Sequence, residues 1–152
     1  MQDINYSREY LSNVLAAAYP ILEKQKNELA PYDDLTLKPD ISGYITLEEN
    51  GGLRIYTVRI DDKLVGYSVF ILCHNMHYKY LKQAVNDIFY IDKQARGDGL
   101  GRMLIQYSED QLKQEDINII IYHVKEANPY LGEIAEAEGY PKLESIYQKR
   151  LS

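Results

Sequence analysis

The chain has one cysteine, no tryptophan, two phenylalanines and three histidines. A single cysteine, Cys73, excludes an intramolecular disulfide and a zinc site built from thiolates; its ordinary reading is a buried strand residue. No apolar run approaches the roughly 18 residues needed to cross a bilayer. Met1 to Tyr10 also lacks a cationic stretch leading into an apolar one. A cytoplasmic protein without a membrane partner is therefore expected. Positive charge is scarce too: 17 Lys and Arg face 23 Asp and Glu, for a net charge of -6. Wholesale binding to a phosphate backbone needs clustered cations, so nucleic acid is not an expected partner. What the chain does have is 45% hydrophobic and 26% charged residues, with fifteen tyrosines. That composition and length predict one folded domain over residues 1–152 with a proper core.

Hydrophobic periodicity divides the chain into elements. Ser7 is a good N-cap, and Tyr10, Leu11, Val14, Leu15, Ala18 and Leu22 follow at helical spacing, predicting a helix from Ser7 to Leu29 broken or kinked around Tyr19 and Pro20. A loop through Pro31 and Pro39 follows, then a second helix from Asp40, a capping residue, to Glu49, stopped by Asn50-Gly51-Gly52. From Leu53 the period falls to two. Leu53–Ile60 and Leu64–Cys73 read as an antiparallel hairpin turned by Asp61-Asp62-Lys63. His74 to Lys82 is a polar, aromatic loop, and Ala84 to Asp92 another strand. Beyond it, Leu100, Met103, Leu104, Tyr107 and Leu112 share a helical face. Asn118 to Lys125 is almost continuously apolar and β-branched, as a strand covered on both faces would be. A helix from Pro129 to Glu138, stopped by Gly139, and a last strand from Ser145 to Leu151 complete the prediction. A crossover helix between two strands implies that they run parallel.

Between the strand ending at Asp92 and the helix starting at Leu100 lies Arg96-Gly97-Asp98-Gly99-Leu100-Gly101-Arg102. Glycines before a helix let a ligand approach the backbone, where first-turn amides and the helix dipole favour an anion. The segment ends in Gly101-Arg102-Met103, which excludes a Walker loop, and Arg102 stands where a dinucleotide fingerprint needs its third glycine. Arg96-x-x-Gly99-x-Gly101 resembles the coenzyme A motif of the GNAT acyltransferases. Asn128, Gly139 and Tyr140 match that family's later helix motif at its spacing, whereas Ala135 stands where the family often has a proton-donating Tyr and Leu131 replaces a small residue. The resemblance covers roughly Leu53 to Leu151. The compact chain, helical N-terminus and histidine-containing loop also resemble phage and mobile-element members, which would suit a host-modifying role.

The resemblance implies an α/β fold of the α+β kind: a mixed, mostly antiparallel central sheet, helices on both faces, and a parallel pair flanking the glycine loop. It implies an acetyl-CoA-dependent transfer to a primary amine of a small molecule or protein, with CoA as product. Arg96, Gly97, Asp98, Gly99, Leu100, Gly101 and Arg102 would hold the pyrophosphate. Phe89, Tyr90 and Ile91 would offer backbone contacts to the pantetheine, and Asn128 would meet the same arm. Asp87 stands where many members carry a Glu base; being shorter, it would act through a water. The alternative for Asp87 is a carboxylate that only holds a loop or Asn86. His123 is a second base, since neutral imidazole is competent near pH 7, or else a packing residue. For the acid, Tyr130 and Tyr147 are the alternatives to the position taken by Ala135, or the thiolate leaves unassisted. His74, Asn75, His77 and Tyr78 read as substrate contacts rather than metal ligands, so no metal is expected. A different class of function stays open: a CoA-binding or protein-interaction module that has lost catalysis. The strand at Ser145 to Leu151 would let two copies pair as a homodimer.

Overall fold

The structure, a computed structural model, describes residues 1–26 and 32–152. In chain order the elements are β1 (Ile4–Glu9), α1 (Leu11–Lys24), α2 (Ile41–Glu49), β2 (Leu53–Ile60), β3 (Lys63–His74), β4 (Lys82–Ile91), a short 3₁₀ turn (Lys93–Ala95), α3 (Leu100–Gln114), β5 (Ile119–Tyr122) and α4 (Tyr130–Ala137). The five strands form one sheet in the order β1-β2-β3-β4-β5. The first three pairings are antiparallel and β4–β5 is parallel, as the crossover through α3 requires.

Side chains from the two sheet faces build two cores. Tyr56, Val58, Phe70, Ala84, Phe89 and Ile91 pack with Leu100, Leu104, Ile105 and Leu112 of α3 and Leu131 of α4. Leu53, Ile55, Leu64, Tyr67 and Val69 pack with Val14 and Ala18 of α1, and with Tyr44 and Leu47 of α2. Helices therefore cover both faces of a mostly antiparallel mixed sheet, the predicted fold class. Burying one such Leu or Ile removes enough apolar surface from water to contribute about 1.5–3 kcal/mol.

Several local expectations hold with a physical cause. Asp40 caps α2 by accepting from the Gly43 amide at 3.0 Å, and Gly51 adopts a φ of +76° as the helix stops. Asp61 and Asp62 both take positive φ, 49° and 66°, and Ile60 pairs with Lys63 across this two-residue turn. That left-handed pair matches the twist of the flanking strands.

The N-terminus departs from its reading. Ser7 caps no helix; it lies in β1, opposite Thr57. β1 is specified by its partner: Glu9 receives two hydrogen bonds of 3.0 Å from Arg59. The helix begins at Leu11, whose amide donates to the Glu48 carboxylate at 2.8 Å, while the Tyr10 amide donates to Asn13 Oδ1. Pro20 sits inside α1 without ending it. The proline lies on the solvent side, and burial of Val14 and Ala18 on the sheet outweighs one missing backbone bond. The expected extension to Leu29 and the loop at Pro31 fall outside the described residues.

Other corrections are smaller. Met103 is exposed rather than on the buried face, because Ile105 and Ser108 take that role with Leu104. β5 is shorter than Asn118–Lys125 and only half-covered, since it is the last strand of the sheet among the described residues. Cys73 is in a strand but exposed, near its fraying end. Ser145–Leu151 forms no strand, and residues 141–152 lie exposed without regular structure. Among the described residues no helix is long and apolar enough to cross a membrane.

Candidate functional site

The site begins with an irregularity in β4. Val69 of β3 pairs with Ile88, and the next residue, Phe70, pairs with Asn86, so Asp87 is an extra residue in β4. Such a bulge bends a strand and reverses the phase of its side chains. Ala84 and Phe89, an odd number of residues apart, accordingly lie on the α3 side, while Ile88 and Tyr90 face the α1 side. Asn86 holds the bulge from inside. Its buried amide lies 3.2 Å from Ser68 Oγ, the Val69 carbonyl and the Ile88 carbonyl. An apolar residue there would strand those groups, at about 1–3 kcal/mol for each one buried without a partner.

Pairing between β4 and β5 stops at Asn86–Tyr122, where the bulge begins. Beyond that point the strands diverge into a wedge of about 430 Å³, counting its mouth. One wall is Asn86 to Phe89, the other His123 to Lys125, and Asn128 and Leu131 close the α4 side. Gln25, at the end of α1, reaches the wedge from the opposite face; it is buried, and its Oε1 has no partner among the described residues. Asp87 is exposed and accepts a hydrogen bond of 2.5 Å from the Tyr44 hydroxyl of α2. Burial, followed by this bond, raises the Tyr44 phenol above its ordinary range, so it stays a donor.

The glycine loop stands beside the wedge, at the end of β4. Gly97 and Gly99 have φ of +102° and +79°, and a Cβ built on either meets nothing within 4 Å. The left-handed backbone is therefore what demands glycine, and the space over it is open. Gly99 is the N-cap of α3 and offers no side chain, so the first-turn amides have no side-chain cap. Gly101 has a different reason to be glycine. A Cβ there would lie 2.5 Å from the Tyr130 hydroxyl and 3.1 Å from Ile134 Cδ1, so it lets α3 and α4 approach.

The remaining predicted residues divide. Arg96 donates from Nε to the Ile91 carbonyl at 2.9 Å and lies 4.5 Å from the Tyr130 ring centroid. Arg102 forms an ion pair with Glu138 across to α4. Asp98 and Leu100 lie at the loop's tip and base, exposed and buried respectively. Phe89 stacks on Tyr130 with centroids 6.0 Å apart, Tyr90 packs on Tyr67, and Ile91 is fully buried. The structure brings Asp87, Phe89, His123 and Asn128 to one wedge. Tyr130 stands behind its wall, its phenol raised by burial although Arg96 pulls it down. Tyr147 is 93% exposed on the irregular C-terminal stretch and is not among the residues lining the wedge.

His74, Asn75, His77 and Tyr78 are not brought there. His74 ends β3, and Asn75 organises the hairpin loop by accepting from the amides of His77 and Tyr78 at 2.8 and 2.9 Å. That loop adjoins the start of β4. Asp87, five residues on from Lys82, lies roughly 17 Å away at ~3.3 Å per strand residue. Tyr44 and Gln25, conversely, are site residues the sequence did not single out. Tyr44 is 43 positions from Asp87, a separation with no periodic signal.

Comparison by sequence with curated proteins returns no match. Many solved structures share the fold. A ribosomal-protein-alanine N-acetyltransferase from Brucella melitensis biovar Abortus 2308 aligns with a TM-score of 0.76 at 17% identity, covering 99% of this chain and 100% of its own. A predicted acetyltransferase with acetyl-CoA from Clostridium acetobutylicum aligns with a TM-score of 0.74 at 11% identity, covering 97% of this chain and 96% of its own. An aminoglycoside acetyltransferase from an uncultured soil metagenomic sample, in complex with trehalose, aligns at 0.73 with 9% identity, covering 98% and 95%. The family model for acetyltransferase (GNAT) domains matches residues 11–137, most of the chain and all of the wedge. With its bulged β4, its divergent parallel pair and its uncapped helix after the glycine loop, this chain belongs to the acetyltransferase (GNAT) family.

Proposed function

We propose that the chain transfers an acetyl group from acetyl-CoA to a primary amine. The observation that carries this reading is the wedge between β4 and β5, with a carboxylate on one wall and the uncapped start of α3 beyond the end of β4. Acetyl-CoA supplies the activated acyl group and a thiolate that can leave. The open space over Gly97 and Gly99 and the uncapped amides of α3 fit its pyrophosphate. Asn128 and the β4 backbone from Phe89 to Ile91 fit the pantetheine arm, which can extend the sheet where β5 has left it.

Asp87 takes a proton from the substrate ammonium, directly or through one water, so that the free amine attacks the thioester, and Tyr44 fixes the orientation of the Asp87 carboxylate. His123, on the opposite wall, is the second candidate base. Tyr130, kept protonated by burial, is the candidate donor to the leaving thiolate. A second reading, cofactor binding without turnover, draws on Ala135 at the family's acid position and on Tyr130 standing behind the wall rather than in it.

Calorimetric titration with acetyl-CoA, followed by thiol release with a panel of amines, tests both. Binding with thiol release establishes the transferase. Binding without release favours the second reading, and no binding removes the pyrophosphate assignment.

A further inference from the structure

A second cavity, of about 490 Å³ counting its mouth, lies between α1, α2 and the sheet. Val14, Ala18 and Leu22 line it from α1, Tyr44 from α2, and Tyr67 and Ile88 from the sheet. No charged side chain lines it among the described residues.

This cavity meets the wedge at the β4 bulge. Ile88 lines both spaces, and Tyr44, in the cavity wall, donates its hydroxyl hydrogen to Asp87 in the wedge. Asp87 is the only carboxylate among the described residues lining either space, and Lys125 already contributes a positive charge to the wedge. An ammonium group therefore has one place of complementary charge, at the junction, and whatever is attached to it faces an apolar wall. A second ammonium would enter the cavity without a counter-charge, which is strongly unfavourable. A hydrocarbon body gains by leaving water.

We propose that the acceptor is a small monoamine with an apolar body: the ammonium sits at Asp87, and the alkyl or aryl group fills the cavity under α1 and α2. This rests on the acetyltransfer reading and specifies its substrate class. Polyamines, aminoglycosides with their several ammonium groups, and peptide amines with their polar backbone are the classes it excludes.

The test compares kcat/KM for ethylamine, butylamine, hexylamine, 2-phenylethylamine, putrescine, kanamycin and the tripeptide Leu-Gly-Gly. The expected result is a rise of about fourfold per added methylene until the cavity is full. Hexylamine and 2-phenylethylamine should exceed putrescine, kanamycin and the peptide by at least about tenfold. Ala18→Leu, which fills the cavity, should lower the hexylamine-to-ethylamine ratio about tenfold, with acetyl-CoA affinity as the check on folding. Should that variant not fold, Leu22→Ala should move the optimum to a longer chain.

A profile flat in chain length, or a preference for putrescine, kanamycin or the peptide, overturns the proposal while leaving acetyltransfer intact. If no amine releases thiol, methyl NMR with 2-phenylethylamine decides. Shifts confined to Val14, Ala18, Leu22 and Ile88 uphold the apolar amine site although acetyltransfer has failed; unshifted methyls overturn it.

Discussion

At the scale of single residues, the Asp87 carboxylate and the Tyr44 hydroxyl test the chemistry. Asp87→Asn should lower the acetylation rate by about 10²–10⁴-fold at neutral pH with acetyl-CoA affinity changed less than about twofold. Tyr44→Phe, which removes only the orienting bond, should cost less, about tenfold or under. Steady-state rates beside calorimetric affinities check both, and a fully active Asp87→Asn removes it as the base. Tyrosine is also informative where it does no chemistry. The Tyr56 side chain is fully buried between Phe70 and Tyr107, and its hydroxyl has no hydrogen-bond partner among the described residues. Removing a buried hydroxyl of that kind relieves a desolvation cost of about 1–3 kcal/mol. Tyr56→Phe should therefore be neutral or stabilising in chemical denaturation, whereas a typical core substitution destabilises. The place of Asp87 beside the wedge was legible only through the family resemblance, by counting back from the glycine loop. Its partner Tyr44 was not, because helix packing rather than spacing brings the two together.

Among elements, the turn at Asp61-Asp62 supplies the clearest local test. Both residues hold a left-handed backbone that costs a non-glycine residue roughly 1 kcal/mol. Asp62→Gly should raise the denaturant midpoint by an amount equivalent to about 0.5–1 kcal/mol with an unchanged slope; Asp62 contributes its carbonyl, which a glycine keeps, to Arg59. The elements legible in sequence are those whose signal is internal: the Asp40 cap of α2, the β2–β3 alternation, the glycine-loop start of α3 and the Gly139 stop of α4. β1 was illegible because its determinants are partners far along the chain, Arg59 and Thr57 for Glu9. The C-terminal stretch failed in the opposite way: Ile146, Tyr147 and Leu151 carry strand propensity, yet no backbone ladder forms to use it. The bulge at Asp87 has no length signature at all, and only the phase change between Ala84 and Phe89 betrays it.

For the whole molecule, long-range ion pairs tie sequence-distant parts of the sheet and its helices. Burial acts to raise the Glu9 carboxyl, but hydrogen bonds from Arg59 and Thr57 and the Arg59 charge outweigh it, leaving the group below its ordinary value. Glu115, after α3, is held low mainly by its hydrogen bonds from Arg54 of β2. A depressed carboxylate stabilises the fold above its unfolded-state value near 4.5 and loses that contribution as pH falls through the lower folded value. The unfolding free energy should thus be flat with respect to these two groups near neutrality and decline below about pH 4.5, with a shallower decline in Glu9→Gln and Glu115→Gln. Urea midpoints measured from pH 3 to 7 check the slope. The parallel pairing of β5 to β4 spans only four residue pairs, from Gln83–Ile119 to Asn86–Tyr122. So short a ladder makes β5 and the wall beyond it the weakest-tethered part of the sheet, and its amides should exchange with solvent through sub-global openings well before those of β2 and β3. Native-state hydrogen exchange on the ligand-free protein reads this directly, and saturating acetyl-CoA should slow the same amides, because a ligand wedged between two strands restores the connection the backbone omits.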